Sequence, residues 1–282
     1  MSALVWHDRP NLRRPVLIAA FEGWSDAGDA ASGAVQYLIE QWDAKLFASI
    51  EGEDYFDFTE VRPRIRFDDD GNREVAWPKN EFYVAPIPGV DRDLVVLSGS
   101  EPQLRWKTFC GHIVEVAKSL DTTMALTLGA LLAEVPHTRP VAVMGSSQDE
   151  SLSEMYALKP SEYEGPAGIT SVLNLLLHQA HIPTAALWAA VPSYIPGAPA
   201  PKATLSLVEK AVSMVGASIK TTNLEIAVAS YERQLDELVK DDDETEEYLR
   251  SLEERYDSDD TPLSSTSFIA EVEQFLREHP HD

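Results

Sequence analysis

Short apolar runs alternate with amphipathic stretches over the first two thirds of the chain. Residues 16–21 are continuously apolar, which is typical of a strand buried on both faces. In residues 26–42 apolar side chains recur on one helical face, and residues 45–50 then have the pattern of a second strand. Further strands are predicted over residues 81–85, 93–97, 123–128, 141–144 and 185–191, and further helices over residues 102–120, 130–134 and 169–178. This order predicts an α/β fold, a three-layer sandwich around a mixed, mostly parallel sheet.

Residues 52–85 interrupt this order with short strands. Residues 65–67 and 74–77 are strand-like and flank a turn rich in aspartate with one glycine, which is a good signal for a β-hairpin. We therefore expect an α/β domain over residues 1–203 that carries a hairpin insert around residues 52–85.

Beyond residue 203 the pattern is helical only. Apolar residues recur at alternating intervals of four and three, as in a heptad seam: Leu224, Val228, Tyr231, Leu235 and Leu238. A single long helix would place Asp242 on this seam, and burying an unpaired carboxylate is costly. We therefore predict a helical region over residues 204–282, with a break at residues 241–243. It would contain a helical hairpin over residues 222–256 and a terminal helix over residues 267–278.

The charge of the chain limits its partners. The 282 residues carry a formal net charge of −24. A body of that charge repels phosphate backbones and anionic lipid surfaces, so we expect neither a nucleic acid nor a membrane partner. The longest apolar runs are also far shorter than the roughly 20 residues of a membrane span. Cys110 is the only cysteine, which excludes an internal disulfide and suits a reducing compartment, so a cytoplasmic protein is expected.

Residues 21–31 are the most unusual stretch, because a buried strand gives way there to a helix. The stretch contains Glu22, Trp24, Asp26 and Gly28. Open α/β sheets bind ligands at the carboxyl ends of their strands, and a helix N-terminus offers free N–H groups. Asp26 and Asp29 are also suitable helix caps, so a capping role and a binding role both remain open. The stretch has neither the lysine of a phosphate loop nor the dinucleotide fingerprint, and its carboxylates would repel a phosphate.

Three further junctions repeat this arrangement. Glu101 follows a predicted strand and precedes a helix, and His137 and Arg139 lie just before another strand. Glu164 and Gly165 lie at the entry to the helix predicted over residues 169–178. A turn or a helix cap also explains each feature taken alone. Their repetition at the junctions between loops and helices is what indicates one shared pocket.

The sequence indicates no catalytic residue, no metal site and no cofactor. Residues 145–149 lack the second glycine of a nucleophile elbow. Cys110 falls in the middle of an apolar helical stripe, which is typical of a core residue. His178 and His181 have helical spacing, but no carboxylate or further histidine lies near them in the sequence.

Several of these segments together resemble the proteasome assembly chaperone family, in its second-subunit-like branch, as found in actinobacteria. The resemblance covers residues 10–260 and rests on FEGWSDAG at 21–28, GSEP at 99–102 with Trp106 and Phe109, LGA at 128–130, PHTRP at 136–140, YEGPAGI at 163–169, LWA at 187–189, Val191, Pro192, Tyr194 and PKAT at 201–204. The resemblance implies an α/β sandwich similar to that of nucleoside phosphorylases and peptidyl-tRNA hydrolases, followed by a helical region. It also implies homo-oligomers, with trimers favoured, and eukaryotic relatives that help to assemble proteasome α-rings. It brings no set of catalytic residues.

Two functions of different kinds remain. The first is a non-enzymatic, oligomeric protein that binds other proteins, which the lack of a nucleophile–base pair favours. The second is a hydrolase- or phosphorylase-like enzyme acting on a small polar ligand at the carboxyl ends of the strands, which the carboxylates at the junctions favour. We expect self-association, because the helix over residues 26–42 is lined with alanines and Gly33, and because tryptophans such as Trp77 add apolar surface.

Overall fold

A computed structural model describes residues 3–68, 70–195 and 197–258 of the chain. The strands are β1 (Leu4–Trp6), β2 (Val16–Glu22), β3 (Lys45–Ile50), β4 (Arg64–Phe67), β5 (Arg73–Ala76), β6 (Asn80–Pro86), β7 (Asp93–Ser100), β8 (Met124–Ala133), β9 (Val143–Ser146) and β10 (Thr184–Pro192). The helices are α1 (Ala30–Gln41), α2 (Trp106–Ser119), α3 (Glu150–Tyr156), α4 (Ile169–Gln179), α5 (Pro201–Val215), α6 (Thr222–Lys240) and α7 (Asp243–Ser258). A short 3₁₀ turn, Ala27–Asp29, precedes α1.

Eight of these strands form one mixed sheet in the order β1-β3-β6-β7-β2-β8-β10-β9. The four central strands, β7, β2, β8 and β10, are parallel, and antiparallel strands extend the sheet on both sides. Parallel strands at the centre of a sheet are covered on both faces, which explains why the apolar run of β2 has no polar alternation. The predicted α/β class and mixed sheet are confirmed.

Helices cover both faces of the sheet, which gives the three layers of the prediction. Successive residues of β2 point to opposite faces, so Ile18 packs in a core with α1 and α5, and Leu17 packs in a second core with α2 and α4. The alanine-lined face of α1 lies against α5 of the same chain, where Gly33 allows a close approach to Thr204. That face is therefore filled within the chain and does not supply the surface expected for self-association.

Two sequence predictions for this body need correction. The short helix predicted over residues 130–134 is wrong, because β8 continues through Ala133 and pairs with β10 over its length. β6 falls within the predicted insert of residues 52–85, yet it is an internal strand of the main sheet between β3 and β7. Only β4 and β5 stand apart, as a two-stranded sheet of their own within the described part of the chain.

The C-terminal helices follow the predicted break. α6 ends at Lys240 and α7 begins at Asp243, so the two helices form the hairpin expected over residues 222–256. The seam differs in its last position, because Val239 is buried and Leu238 is exposed. Tyr231, Leu235 and Val239 are buried at successive intervals of four, so the buried stripe of α6 departs there from the alternating heptad spacing.

α5 links the two predicted regions. It begins at Pro201, in the first turn of the helix, where a backbone N–H has no partner within the helix and proline's lack of one is harmless. It ends at Gly216, which is in the left-handed conformation with φ of 76°. The boundary predicted between residues 203 and 204 falls inside this helix, which packs on the sheet and on α6. The terminal helix predicted over residues 267–278 lies outside the described residues.

Candidate functional site

The carboxyl ends of β2 and β7 bring Glu22, Trp24 and Glu101 together. β2 pairs with β7 up to Glu22 and Ser100, and the main-chain carbonyl of Glu22 accepts a hydrogen bond from the N–H of Glu101 at 2.9 Å. Gly23 turns the chain between them with φ of 121°, and a Cβ there would lie 3.2 Å from the Cβ of Glu101. We call Glu22, Trp24, Asp26 and Glu101 the strand-end cluster.

Glu101 connects two loops through its carboxylate. Its Oε2 accepts a hydrogen bond from the main-chain N–H of Trp24 at 3.2 Å, and its Oε1 accepts one from the N–H of Ile169 at 2.8 Å. Ile169 is the first residue of α4, so the carboxylate sits on free donors at a helix N-terminus. Glu101 therefore caps the N-terminus of α4, although it lies far from α4 in the sequence.

Glu22 lies at the outer rim of the same cluster. Its side chain is exposed, and its Oε2 accepts a hydrogen bond from the hydroxyl of Ser100 at 3.1 Å. Glu22 is the last residue of β2, and the preceding residues of the strand are buried. Its carboxylate meets water because the strand leaves the core at this point.

Asp26 is buried and caps α1 from a distance. Its Oδ1 accepts hydrogen bonds from the main-chain N–H groups of Ala31 and Ser32 at 2.7 and 3.1 Å. Burial raises the pKa of Asp26 above its ordinary value, although these two donors act in the opposite direction. Asp29, the other candidate cap, is in the left-handed region with φ of 52° and makes no capping bond with its side chain. Of the two readings of Asp26, the structure supplies the contacts of a cap.

Three buried oxygen atoms near these strand ends have no hydrogen-bond partner among the described residues: Ser25 Oγ, Asp26 Oδ2 and Thr170 Oγ1. Gly168 makes room at this point, because a Cβ there would lie 2.5 Å from Ser25 Oγ and 2.7 Å from the ring of Trp24. Buried polar atoms normally have partners, so these oxygens are suited to holding water or a small hydrogen-bond donor.

Gly28 serves packing against α5. It has φ of 60°, and a Cβ there would lie 2.7 Å from the Cβ of Ala200. Its carbonyl accepts a hydrogen bond from the N–H of Ala200 at 2.8 Å. The glycine therefore lets the chain before α1 contact the residue before α5, rather than a ligand.

His137 belongs to a second group of residues, which contacts the C-terminal helices. Its ring is buried, with Nδ1 at 2.7 Å from the hydroxyl of Tyr194 and Nε2 at 3.2 Å from Oδ1 of Asp236 on α6. The same hydroxyl accepts a hydrogen bond from the main-chain N–H of His137 at 2.9 Å. Because the carboxylate of Asp236 is an acceptor, the ring donates its Nε2 proton to Asp236. Lys202 donates to the carbonyl of His137 at 2.7 Å and also contacts Glu232 of α6.

Arg139 ties the same loop to α7. Its guanidinium donates to Glu253 at 3.0 Å and to both carboxylate oxygens of Asp257 at 2.7 and 2.8 Å. Arg255 of α7 pairs in turn with Glu134 at 2.9 Å. We call His137, Arg139 and their partners on α6 and α7 the helix latch. A narrow, mostly apolar pocket lies beneath it, between residues 135–142, β10 and α5.

Glu164 and Gly165 lie in an exposed loop before α4. The hydroxyl of Tyr163 donates to the carbonyl of Pro166 at 2.8 Å, and Gly165 leaves space for that ring. The structure thus divides the residues selected from the sequence among four places, namely the strand-end cluster, the helix latch, this loop and the contact of Gly28 with α5.

Sequence reasoning missed the partners in the helix latch. Asp236 is 99 residues away from His137, and Glu253 is 114 residues away from Arg139. One feature of the sequence pointed to Asp236 as a partner. It follows Leu235, a residue of the predicted seam, and therefore lies beside the buried face of α6.

Two classes of feature are absent from the described part of the chain. No group of three or more histidine, cysteine, aspartate or glutamate side chains is arranged to hold a metal ion. No described helix combines the length and the apolar character that crossing a membrane requires.

Comparison with known proteins gives the family. The model of the PAC2 family matches residues 20–239. A PAC2 family protein from Streptomyces avermitilis is 40% identical, with a TM-score of 0.78 over 83% of this chain and 99% of that one. A proteasome-assembly chaperone homologue from Mycobacterium tuberculosis is 39% identical, with a TM-score of 0.75 over 83% of this chain and 99% of that one.

A more distant structure shares the fold. An archaeal proteasome activator from Pyrococcus furiosus is 19% identical, with a TM-score of 0.68 over 83% of this chain and 97% of that one. Among curated proteins, none matches the chain. The family match covers most of the chain and agrees with the mixed sheet and its flanking helices, so the chain belongs to the PAC2 family.

Proposed function

We propose that this chain is a non-enzymatic, homo-oligomeric protein that binds other proteins in the manner of an assembly chaperone. The observation that carries the proposal is the exposed apolar surface of the β4–β5 hairpin, where Ile65 and Phe67 of β4 and Trp77, directly after β5, face solvent. Contiguous exposed apolar side chains are typical of surfaces that bind proteins. Structural neighbours named as a chaperone homologue and as a proteasome activator support the same kind of role.

The contacts of the charged candidates support the non-enzymatic part of the proposal. Both oxygens of Glu101 and one oxygen of Asp26 are occupied as helix caps, and Arg139 is occupied by two carboxylates of α7. A residue that acts on a substrate needs an oxygen, nitrogen or proton directed toward an open cleft. In this chain these groups are directed at the protein's own backbone and helices.

The first experiment measures the oligomeric state. We expect static light scattering and native mass spectrometry at micromolar concentration to give a homo-oligomer, with a trimer favoured, that persists in physiological salt. A monomer in both measurements would contradict the oligomeric part of the proposal.

The second experiment addresses the partner. Purified α-subunits of an actinobacterial proteasome would be mixed with the full chain, and ring formation followed by native electrophoresis. A role in assembly predicts faster ring formation and a detectable complex between the two proteins. Unchanged kinetics at an excess of the chain, with no complex, would refute that role.

A second function, an enzyme acting on a small polar ligand, is favoured by one observation. Ser25 Oγ, Asp26 Oδ2 and Thr170 Oγ1 are buried without partners near the carboxyl ends of the strands. An uncharged nucleoside such as adenosine suits this acidic region better than a phosphate does. A rise in melting temperature with millimolar adenosine that Ser25→Ala abolishes would favour this function, and an unchanged temperature would count against it.

A further inference from the structure

The narrow pocket beneath the helix latch, which we call the latch pocket, is built from two parts of the fold. Prolines and small aliphatic side chains line it from the α/β body, among them Pro140, Ala142 and Pro192. Tyr231 of α6 and Tyr256 of α7 also line it, so the pocket is complete only when the hairpin of α6 and α7 lies on the body. Its space is about 380 Å³ together with the open mouth, but the enclosed part is only wide enough for a water-sized group, so an occupant must be slim.

One polar group of the latch pocket lacks a partner. Tyr231 is only 9% exposed, and its hydroxyl makes no hydrogen bond with the described residues. Burial raises the pKa of Tyr231 to about 12, so the hydroxyl keeps its proton and can donate it. The hydroxyl of Tyr256, by contrast, donates to the carbonyl of Pro140 at 3.2 Å. Because buried polar groups normally have partners, Tyr231 marks the place where a ligand oxygen would be held.

The charges around the latch pocket favour an uncharged ligand. Among the described residues, Lys202 is the only lysine or arginine that lines it, and its ammonium already donates to the carbonyl of His137 and to Glu232. In the ion pairs between the body and the hairpin, carboxylates outnumber cations: Glu134, Glu232, Asp236, Glu253 and Asp257 against Arg139, Lys202 and Arg255. An anionic ligand would have to displace Glu232 and would meet this negative charge. A cationic ligand would have to bury its charge among apolar side chains, which is costly.

We propose that the latch pocket binds a small, uncharged aliphatic molecule that carries one hydroxyl or carbonyl oxygen. Its aliphatic chain lies among the prolines and alanines, and its oxygen accepts the hydrogen bond that Tyr231 offers. Because the body, α6 and α7 line the pocket together, only the closed hairpin holds the molecule, and binding therefore keeps the hairpin closed. The inference stands apart from the proposed function, since it requires neither self-association nor a protein partner.

Two probes of equal chain length test the class of ligand on the full chain. 1-Butanol is uncharged and butyrate is anionic, so their comparison isolates the effect of charge. Saturation-transfer NMR detects each bound probe, and the methyl signals of Ala142 and Ala190, which line the pocket, report where it binds. We expect saturable binding of 1-butanol with a dissociation constant in the millimolar range. Butyrate should bind at least about tenfold more weakly.

Three variants locate the binding. Tyr231→Phe removes only the hydroxyl and should raise the dissociation constant of 1-butanol by about fivefold. Tyr163→Phe removes a hydroxyl in the loop before α4, outside the pocket, and should leave that constant unchanged. Ala142→Phe, at a half-buried lining position, should fill the pocket and abolish saturable binding. Thermal melting shows whether this last variant folds, and Tyr231→Phe decides the question if it does not.

Proteolysis between α6 and α7 measures the effect of binding on the hairpin. If the protease cuts the open hairpin, a probe that binds only the closed one lowers the cleavage rate in proportion to the open population. At ten times its dissociation constant, 1-butanol should therefore slow cleavage of the wild type by about tenfold. Ala142→Phe in the same concentration of 1-butanol is the control for effects on the protease, and its cleavage rate should not change.

Each contrary outcome overturns a stated part of the inference. No saturable binding of 1-butanol, or equal binding to the wild type and Tyr231→Phe, overturns the site. Butyrate that binds as tightly as 1-butanol overturns the uncharged class and identifies an anion site at Lys202 instead. Binding that leaves the cleavage rate of the wild type unchanged overturns the coupling to the hairpin. A monomeric chain without effect on ring formation would contradict the proposed function and leave these results as they are.

Discussion

Removing the carboxylate of Glu101 should destabilise the protein substantially, although the residue is not part of the hydrophobic core. Glu101→Ala leaves the N–H groups of Trp24 and Ile169 without their acceptor. Ile169 is fully buried, so water cannot replace the carboxylate there. An unsatisfied buried donor costs about 1–3 kcal/mol, and the Trp24 N–H, in a half-buried residue, adds a smaller loss.

The expected total is about 2–4 kcal/mol of unfolding free energy. For a chain of this size, each kcal/mol lowers the melting temperature by about 2 °C, so calorimetry should record a decrease of roughly 4–8 °C. Glu101→Gln keeps one acceptor oxygen and should lose about half of that amount. Amide hydrogen exchange should also become faster in the first turn of α4, because its N-terminal cap is gone.

Glu22→Ala is the matched control, since this neighbouring carboxylate is exposed and binds the hydroxyl of Ser100. Its effect should stay within about 0.5 kcal/mol. If Glu101→Ala melted at the wild-type temperature, Glu101 would not be acting as a cap. Its carboxylate would then be a candidate for ligand binding, and the enzymatic alternative would gain support.

Three other changes test the C-terminal helices and the cap of α1. Leu235→Asp with Leu252→Asp, both buried, should cost more than about 3 kcal/mol in denaturant unfolding, whereas Ile226→Asp, which is exposed, should change stability by less than about 0.5 kcal/mol. His137→Ala removes the bonds to Tyr194 and Asp236, so proteolysis between α6 and α7 should be faster than in the wild type, and an unchanged rate would contradict the latch. Burial raises the pKa of Asp26, which penalises its charged form in the fold at neutral pH. At neutral pH, the Asp26→Asn variant should therefore be at least as stable as the wild type. As the pH falls, the wild-type carboxyl becomes protonated in both the folded and the unfolded state, and the variant should lose this advantage.

The sheet was predictable because its central strands are buried on both faces and therefore stand out in the sequence as continuous apolar runs. β2 and β8 lie at the centre of the sheet, where both faces are covered, and a continuous apolar run is the direct consequence. The same property misled the reading of residues 130–134, because a fully buried strand and a short buried helix have similar composition and no distinguishing period. Pairing with β10 decides the matter there, and that pairing is a contact between distant parts of the chain.

The candidate site was predictable only in part, because the sequence shows which side chains lie at strand ends but not what they face. Glu22 and Glu101 meet as expected, since β2 and β7 are parallel neighbours that end together. His137 and Arg139 are directed to α6 and α7 instead, through partners about a hundred residues away. No local pattern encodes such partners, since the pairing depends on where the C-terminal helices pack.

Glycine and carboxylate motifs at loop–helix junctions are commonly read as binding signatures, and this chain shows why the same residues also suit a purely structural purpose. Each α/β crossover leaves free N–H groups at the start of its helix, and a nearby loop satisfies them most simply with a carboxylate. A glycine beside the acid lets the two backbones approach, as Gly23 does for Glu101 and Gly28 does for the residue before α5. The two purposes differ in one observable respect, namely whether the carboxylate oxygens are already occupied. Both oxygens of Glu101 accept main-chain donors, whereas one oxygen of Asp26 is buried without a partner and the exposed Glu22 accepts from Ser100 through one oxygen. By this criterion Asp26 and Glu22, and not Glu101, are the positions of the strand-end cluster that can still bind a molecule.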